Sequence, residues 1–280
     1  ARNLDDKGFE DLGNSGVLNI AKNLDDRGFE DLGNEGVLNI ARNLDDEGMQ
    51  GLGSPGVVNI ARHLDEKGLD DLGIPGVVNL ARNLDGNGIQ DVGGDKLKDF
   101  VIRFDQSHLE DLGGEKLKDF AMEFEPKHLE DLGGEKLKDF ALQFDSNDVE
   151  DLGGEKIKDF ARNMDITQYE ELGGDKLVDF NRAMDKDQLQ DLGGEKLRDM
   201  TRTMGLDNYL DLGGDKLVDI GANMDREHLA DLGDDAVDFA KVMPGHRFEE
   251  LGSARLEGLM LATSEDKILE LGNERLEAIV

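Results

Sequence analysis

The chain has 280 residues, enough for one or two globular domains, but only 37% are hydrophobic and 5% aromatic, which is lean for one large core. Acids outnumber bases 65 to 32, a formal net charge of -33, so direct binding to nucleic acid or an anionic membrane surface is disfavoured and basic or cationic protein surfaces are favoured. The absence of cysteine excludes disulfides and thiolate sites, and no apolar run approaches the ~20 residues that span a bilayer, so a soluble chain without membrane insertion is expected, with cytoplasm and cell exterior both open to it.

Written in rows of twenty, the sequence aligns without gaps as far as Gly233, and one deletion near residues 234 to 237 shifts the remaining rows, giving fourteen repeats. This periodicity predicts an all-α fold: an α-solenoid, a superhelical rod of fourteen 20-residue helix-turn-helix repeats in one continuous array over 1–280. At ~8 to 10 Å per packed helix its contour would be on the order of 120 Å.

Ala1 to Leu4 match the tail of a longer helix. The first block, 1–84, repeats "LDD.G..DLG..GV.NIA", and Pro55 and Pro75 set a helix start directly after a glycine, because proline is tolerated in a first turn and excluded from an interior. The second block, 85–240, repeats "DLGG.KL.DF" at unbroken spacing. Pro126 there starts a short helix to Leu132, preceded by Glu125 at a position that is Asp in ten repeats (Asp5, Asp105, Asp145 and Asp225 among them) and Ser264 in the last, residues suited to an N-cap. A longer helix should run from about Glu135 to Phe144, with Leu137, Phe140, Ala141 and Phe144 on one apolar stripe, while Leu129 and Leu132 anchor the short one. Neither helix is long enough to stand alone, so repeats must stack. In general architecture this resembles tetratricopeptide or HEAT-type arrays, with a much shorter period. The last block, 241–280, is divergent and stops at Ile279-Val280 inside a helix. With no polar capping repeat at either end, the expectation is a segment or subunit that stacks end to end with adjoining repeats or other copies of itself.

Four sets of residues invite a functional reading. Glycine is invariant at Gly13, Gly33, Gly53, Gly73, Gly93, Gly113, Gly133, Gly153, Gly173, Gly193, Gly213, Gly233, Gly252 and Gly272. Gly113-Gly114-Glu115-Lys116 matches neither GxxxxGK[ST] nor GxGxxG, so it reads as a left-handed helix cap and a helix start, with the first glycine required and the second replaceable as at Asn14, Ser54 or Ile74. His108, His128 and His228 share one position but sit too far apart to ligate one metal; with His63 and His246 they read as surface histidines.

A polar column, Asn19, Asn39, Asn59, Asn79, Asp99, Asp119, Asp139, Asp159, Asp179, Asp199, Asp219 and Asp238, reads as an inter-repeat ladder accepting backbone hydrogen bonds. Acids precede the "LG" in thirteen repeats, including Asp11, Asp31, Asp71, Asp91, Asp111, Asp131, Asp151 and Glu270, at the end of the short helix where the dipole disfavours negative charge. Lys96 through Lys216, five residues on in repeats five to eleven, are expected to compensate them, and Ca²⁺ is the one cofactor such a column would take. No catalytic grouping recurs. The expected function is a non-catalytic structural and interaction scaffold, a segment or subunit of an extended, end-to-end stacking or filamentous assembly, with a calcium-responsive adhesion region and an acidic mimic of nucleic acid or protein-binding solenoid as the other readings.

Overall fold

The computed structural model describes residues 6–263 and Leu271. Expectations that fall on Ala1 to Leu4, Asp5, Ser264, Glu270, Gly272, Ile279 and Val280 lie outside the described residues. Those described are all-α, with twenty-one α-helices and one 3-10 turn, in two compact units, Ala1–Leu132 and Gly133–Val280. Within each unit short and longer helices alternate regularly, as in Asp46–Leu52 with Ser54–His63 and Lys186–Leu192 with Gly194–Thr203, consistent with a repeat array. Spans such as Asp6–Lys22 and Ser146–Arg162 are the same pair run together, interrupted at Gly13 and Gly153.

Aspartate starts the short helix by the expected chemistry. The Asp45, Asp65 and Asp85 carboxylates each accept the backbone N–H three residues on, satisfying a donor that the first turn leaves open. One large side chain per short helix, such as Phe29, Leu69, Leu109, Leu189 or Tyr209, is then fully buried. The second expected anchor is graded along the chain: Leu12 is 41% exposed, whereas Leu152, Leu172 and Leu192 are buried. In the first block this leucine folds over the glycine four residues on, and a Cβ at Gly16 would stand 3.0 Å from that of Leu12. Phe144 is buried as expected, but lies just beyond the helix Pro126–Gln143, and Leu64, Phe104 and Met184 are likewise buried C-cap residues in extended conformation.

The glycine turn differs from the left-handed cap that its sequence suggests. Gly113 has φ 78° and ψ 160°, and the other turn glycines share positive φ, from 61° at Gly233 to 91° at Gly193. A left-handed helical residue would have ψ near +50°; the observed region is open to glycine almost alone. An added Cβ at Gly113 would meet nothing within 4 Å, so the constraint there is conformational rather than steric. The second glycine, expected to be replaceable, is constrained by packing: a Cβ on Gly94 would lie 2.5 Å from the Glu123 carbonyl oxygen, and one on Gly194 would lie 2.5 Å from His228 Nδ1. Replacement is tolerated in the first block because the neighbouring surface differs there.

Repeats interlock beyond their nearest neighbours. The longer helix packs on the short helix two repeats on, as Ser54–His63 does on Gly86–Val92 and Gly174–Ala183 on Leu206–Leu212. The short helix packs on the longer helix of the next repeat, as Gly86–Val92 does on Gly114–Glu123. Side-chain hydrogen bonds accordingly join residues 29 to 37 apart.

At these contacts one backbone donor is satisfied in two alternative ways. The backbone N–H of the N-cap residue itself has no partner within its helix. At two caps around the end of the first block it is met from two repeats earlier: Asp65 N–H donates to Asn34 Oδ1 (3.1 Å), and Asp85 N–H to Ser54 Oγ (3.1 Å). In the second block the third residue of the same helix turns back to accept it, through His128 (2.9 Å), Gln168 (2.9 Å), Gln188 (2.7 Å) or Asn208 (3.1 Å), a capping box. The two acceptors occupy the same space. Where Asn34 or Ser54 is used, the third helical residue is Gly68 or Gly88, whose added Cβ would collide with that side chain; where His128 or His228 is used, the earlier position is Gly94 or Gly194.

Two substitutions test these assignments. Gly113→Ala and Gly113→Asn should each destabilise by about 1 to 3 kcal/mol, to a similar extent, because asparagine tolerates the left-handed helical region and not this one; chemical denaturation that finds Asn much the milder of the two would restore the ordinary helix cap. Gly194→Asn and His228→Gly should each lower the melting temperature, whereas the double variant, which exchanges one mode of capping for the other, should regain stability with a coupling of roughly 0.5 to 3 kcal/mol. Additive losses would refute the exchange.

Candidate functional site

The acids at the end of the short helix are the departure from local electrostatics that most needs explaining, and most of the charges that answer them come from an earlier repeat, with Lys67 on Asp71 and Arg247 on Glu250 as pairs within one repeat. Arg62 donates to the Asp91 carbonyl oxygen (2.5 Å) with its guanidinium 3.8 Å from the carboxylate; Arg82 reaches Asp111 at 3.1 Å and Arg182 reaches Asp211 at 3.3 Å. A second route starts one turn earlier on the longer helix: Lys98 meets Asp131 (3.0 Å), Lys138 meets Glu171 (2.5 Å) and Arg198 meets Asp231 (3.4 Å). Where the first route has lost its arginine, at Ile102, the second supplies Lys98. An arginine that binds both the last carbonyl and the adjacent carboxylate neutralises the negative helix end and the acid together.

The lysines expected to do this have another partner. Lys96 and Lys216 donate to the carbonyl oxygens of Leu64 (2.7 Å) and Met184 (2.6 Å), and Lys116, Lys176 and Lys196 donate to those of Leu84, Phe144 and Met164. These carbonyls end the longer helix, again a place that favours a cation. Burial pushes the Lys116 and Lys216 amines below the usual lysine range, against the pull of Asp119 and Asp219. At Lys138 burial also opposes the charge, but hydrogen bonds to Glu135, Glu171 and Asp139 outweigh it and hold the ammonium above the usual range. The Lys67 hydrogen bond holds the Asp71 carboxyl below the ordinary aspartate value.

Asp11, Asp31 and Asp151 stand exposed at the same place on their short helices. Among the described residues no three His, Asp or Glu side chains gather closely enough to hold a metal ion. The polar column shares no single partner. Asn39 donates to Asp6 (2.7 Å), Asn79 Oδ1 accepts from Asn83 (3.1 Å), Asp179 accepts from Ser146 (2.8 Å), Asp199 from Arg198 (2.7 Å), while Asp139, Asp219 and Asp238 lie 3.3, 3.7 and 3.6 Å from Lys138, Arg247 and Lys241. The backbone carbonyls of Asn19, Asn59, Asp99 and Asp159 receive the side chain four residues on in the same chain direction. Asp119 points toward Gly86, and burial raises the Asp159 carboxyl above its ordinary value.

His246 is exposed, as expected of a surface histidine, but the column histidines are more than that. His128 is 3% exposed; its Nδ1 faces the Glu125 N–H and its Nε2 lies 2.9 Å from Asp95 Oδ1, which fixes an Nε2–H tautomer. His108 and His228 make the same turn-back to Asp105 and Asp225, both at 3.3 Å. Around Gly113 to Lys116 there is a cleft of about 500 Å³, but Glu115 and Asp119 border it and its lysine is spent on a carbonyl, a poor environment for phosphate. Rows of twenty conceal the arginine and lysine partners, which lie 29 and 33 residues before their acids; a search for opposite charges at those spacings would have found them.

No protein-family model and no curated protein matches this chain.

Lys98→Met should lower stability by at most about 1 kcal/mol, less at high salt, since Asp131 is largely exposed. Adding Ile102→Arg, at the spacing by which Arg82 reaches Asp111, should recover the loss in melts at low ionic strength. A double variant no more stable than Lys98→Met would show that the two routes are not interchangeable.

Proposed function

We propose that the chain is a non-catalytic interaction scaffold: an α-solenoid of fourteen 20-residue repeats whose acidic surface recruits basic protein partners and whose repeats lend themselves to extended assembly. The observation that carries this reading is an asymmetry of commitment. The bases, already half as numerous as the acids, are spent on helix ends and on acids of other repeats, through Arg62, Arg82, Lys98, Lys116, Lys138 and Arg182. Glutamates on the short helices, Glu10, Glu30, Glu110 and Glu130 in the first unit and Glu150 and Glu170 in the second, remain exposed.

A surface of one sign accelerates and selects encounters with the opposite sign, and such encounters weaken with salt. No helix among the described residues is long and apolar enough to cross a membrane. Titration with a fluorescent oligo-arginine should give saturable binding at about 50 mM salt that weakens at least tenfold at about 300 mM, with no binding of duplex DNA or oligo-glutamate. Failure to bind oligo-arginine at the lower salt would sink the reading.

A further inference from the structure

The short helix Leu206–Leu212 departs from its counterparts at three solvent-facing places at once. Its N-cap is Gly205, where Asp145, Asp165, Asp185 and Asp225 cap four other short helices of the same unit and Pro244 precedes a fifth. Leu206 and Leu210 are 40% and 59% exposed, at positions that hold Lys186 and Gln190 in the preceding repeat. Nothing internal demands this. Gly205 has a negative φ of -107°, and an added Cβ there would meet nothing within 4 Å, so an aspartate would fit. The helix is not rotated out of place either, because Tyr209 is fully buried and its hydroxyl donates to the Thr201 carbonyl oxygen (2.8 Å).

Residues four apart share a helix face, so Leu206 and Leu210 form one apolar stripe, and the next residues along, Asp207 and Asp211, form an exposed carboxylate stripe beside it, Asp211 sharing its charge with Arg182 at 3.3 Å. Removal of the N-cap carboxylate widens the apolar end. An apolar strip edged by carboxylates is complementary to a helix that carries apolar side chains on one face and lysine or arginine at its border. We propose that Leu206 and Leu210, edged by Asp207 and Asp211, are the docking stripe for a basic amphipathic helix of a partner protein. The sign of that partner rests on the acidic-scaffold reading; the apolar contact does not.

The test uses two helical peptides of equal positive charge, one of lysine and leucine with the leucines along one face, the other with serine in place of leucine. Calorimetry on the whole chain should show the leucine peptide binding at least tenfold more tightly. The variant Leu206→Ser with Leu210→Gln, which borrows side chains used at these positions in Ser146 and Gln190, should bind both peptides as the wild type binds the serine peptide, with an unchanged melting curve. Binding of the serine peptide reports on the acidic surface alone, so its loss and the loss of the leucine preference are separate failures. Equal affinity of both peptides for the wild type would overturn the docking stripe. So would a leucine preference that survives in the variant, or self-association of the wild type that the variant abolishes without any peptide preference.

Discussion

The structure depends on one backbone amide in each repeat whose short helix is not capped by proline, as that of Gly245–Phe248 is by Pro244: the N–H of the capping residue. It points into the contact between repeats, where a donor left unpaired costs up to about 1 to 3 kcal/mol as the contact buries it. There is room for one acceptor. Asn34 or Ser54 enters from two repeats earlier and leaves space only for a glycine at the third helical position; Gln168 or Gln188 turns back from that position and leaves space only for a glycine opposite. The two sequence blocks are therefore two solutions of the same problem. Neither contains a large side chain at both places, save where the blocks meet, and there Ile74 is 37% exposed.

The same economy governs the helix ends. A chain with so few apolar residues holds many short helices, and each end leaves polar groups that a larger core would not excuse. Here the carbonyls ending the longer helix take lysines from a later repeat, and the carbonyls ending the short helix take arginines from an earlier one. Individual exposed ion pairs contribute little, but these also satisfy backbone acceptors, and they are repeated along the chain. Acids at a helix C-terminus, unfavourable in isolation, become the second anchor for a guanidinium already drawn there by the carbonyls.

Much of this was legible in the sequence, and the remainder was hidden for a definable reason. Local chemistry is written within a repeat: Asp85 before its helix, Pro126 at a first turn and the stripe of Leu137, Phe140 and Ala141 all report on neighbours a few residues away. Partners one repeat or more away are visible only if the right offset is tried, and contacts here span 29 to 37 residues, not a multiple of twenty. Hence local spacing matches Lys116 to the nearest acid although its partner is the Leu84 carbonyl, and leaves His128 looking like a surface residue although it is a buried cap. Glycine was recognised as a turn, but its ψ is a property of the direction the next helix must take, which composition does not encode.

A turn-back that admits histidine, glutamine, asparagine or aspartate also explains why these residues replace one another at a site that ranges from half-buried to buried. What Gln168, Asn208 and His128 have in common is an acceptor at the right reach from the helix axis, not charge or size. Histidine performs this only with Nδ1 unprotonated, and at His128 the Asp95 carboxylate secures that form by taking the Nε2 proton as a hydrogen bond. That hydrogen bond is also the principal reason the Asp95 carboxyl is held below the usual aspartate range. The histidine column is thus a structural variant of the glutamine column, and its recurrence at one position follows from the cap geometry without any appeal to a metal.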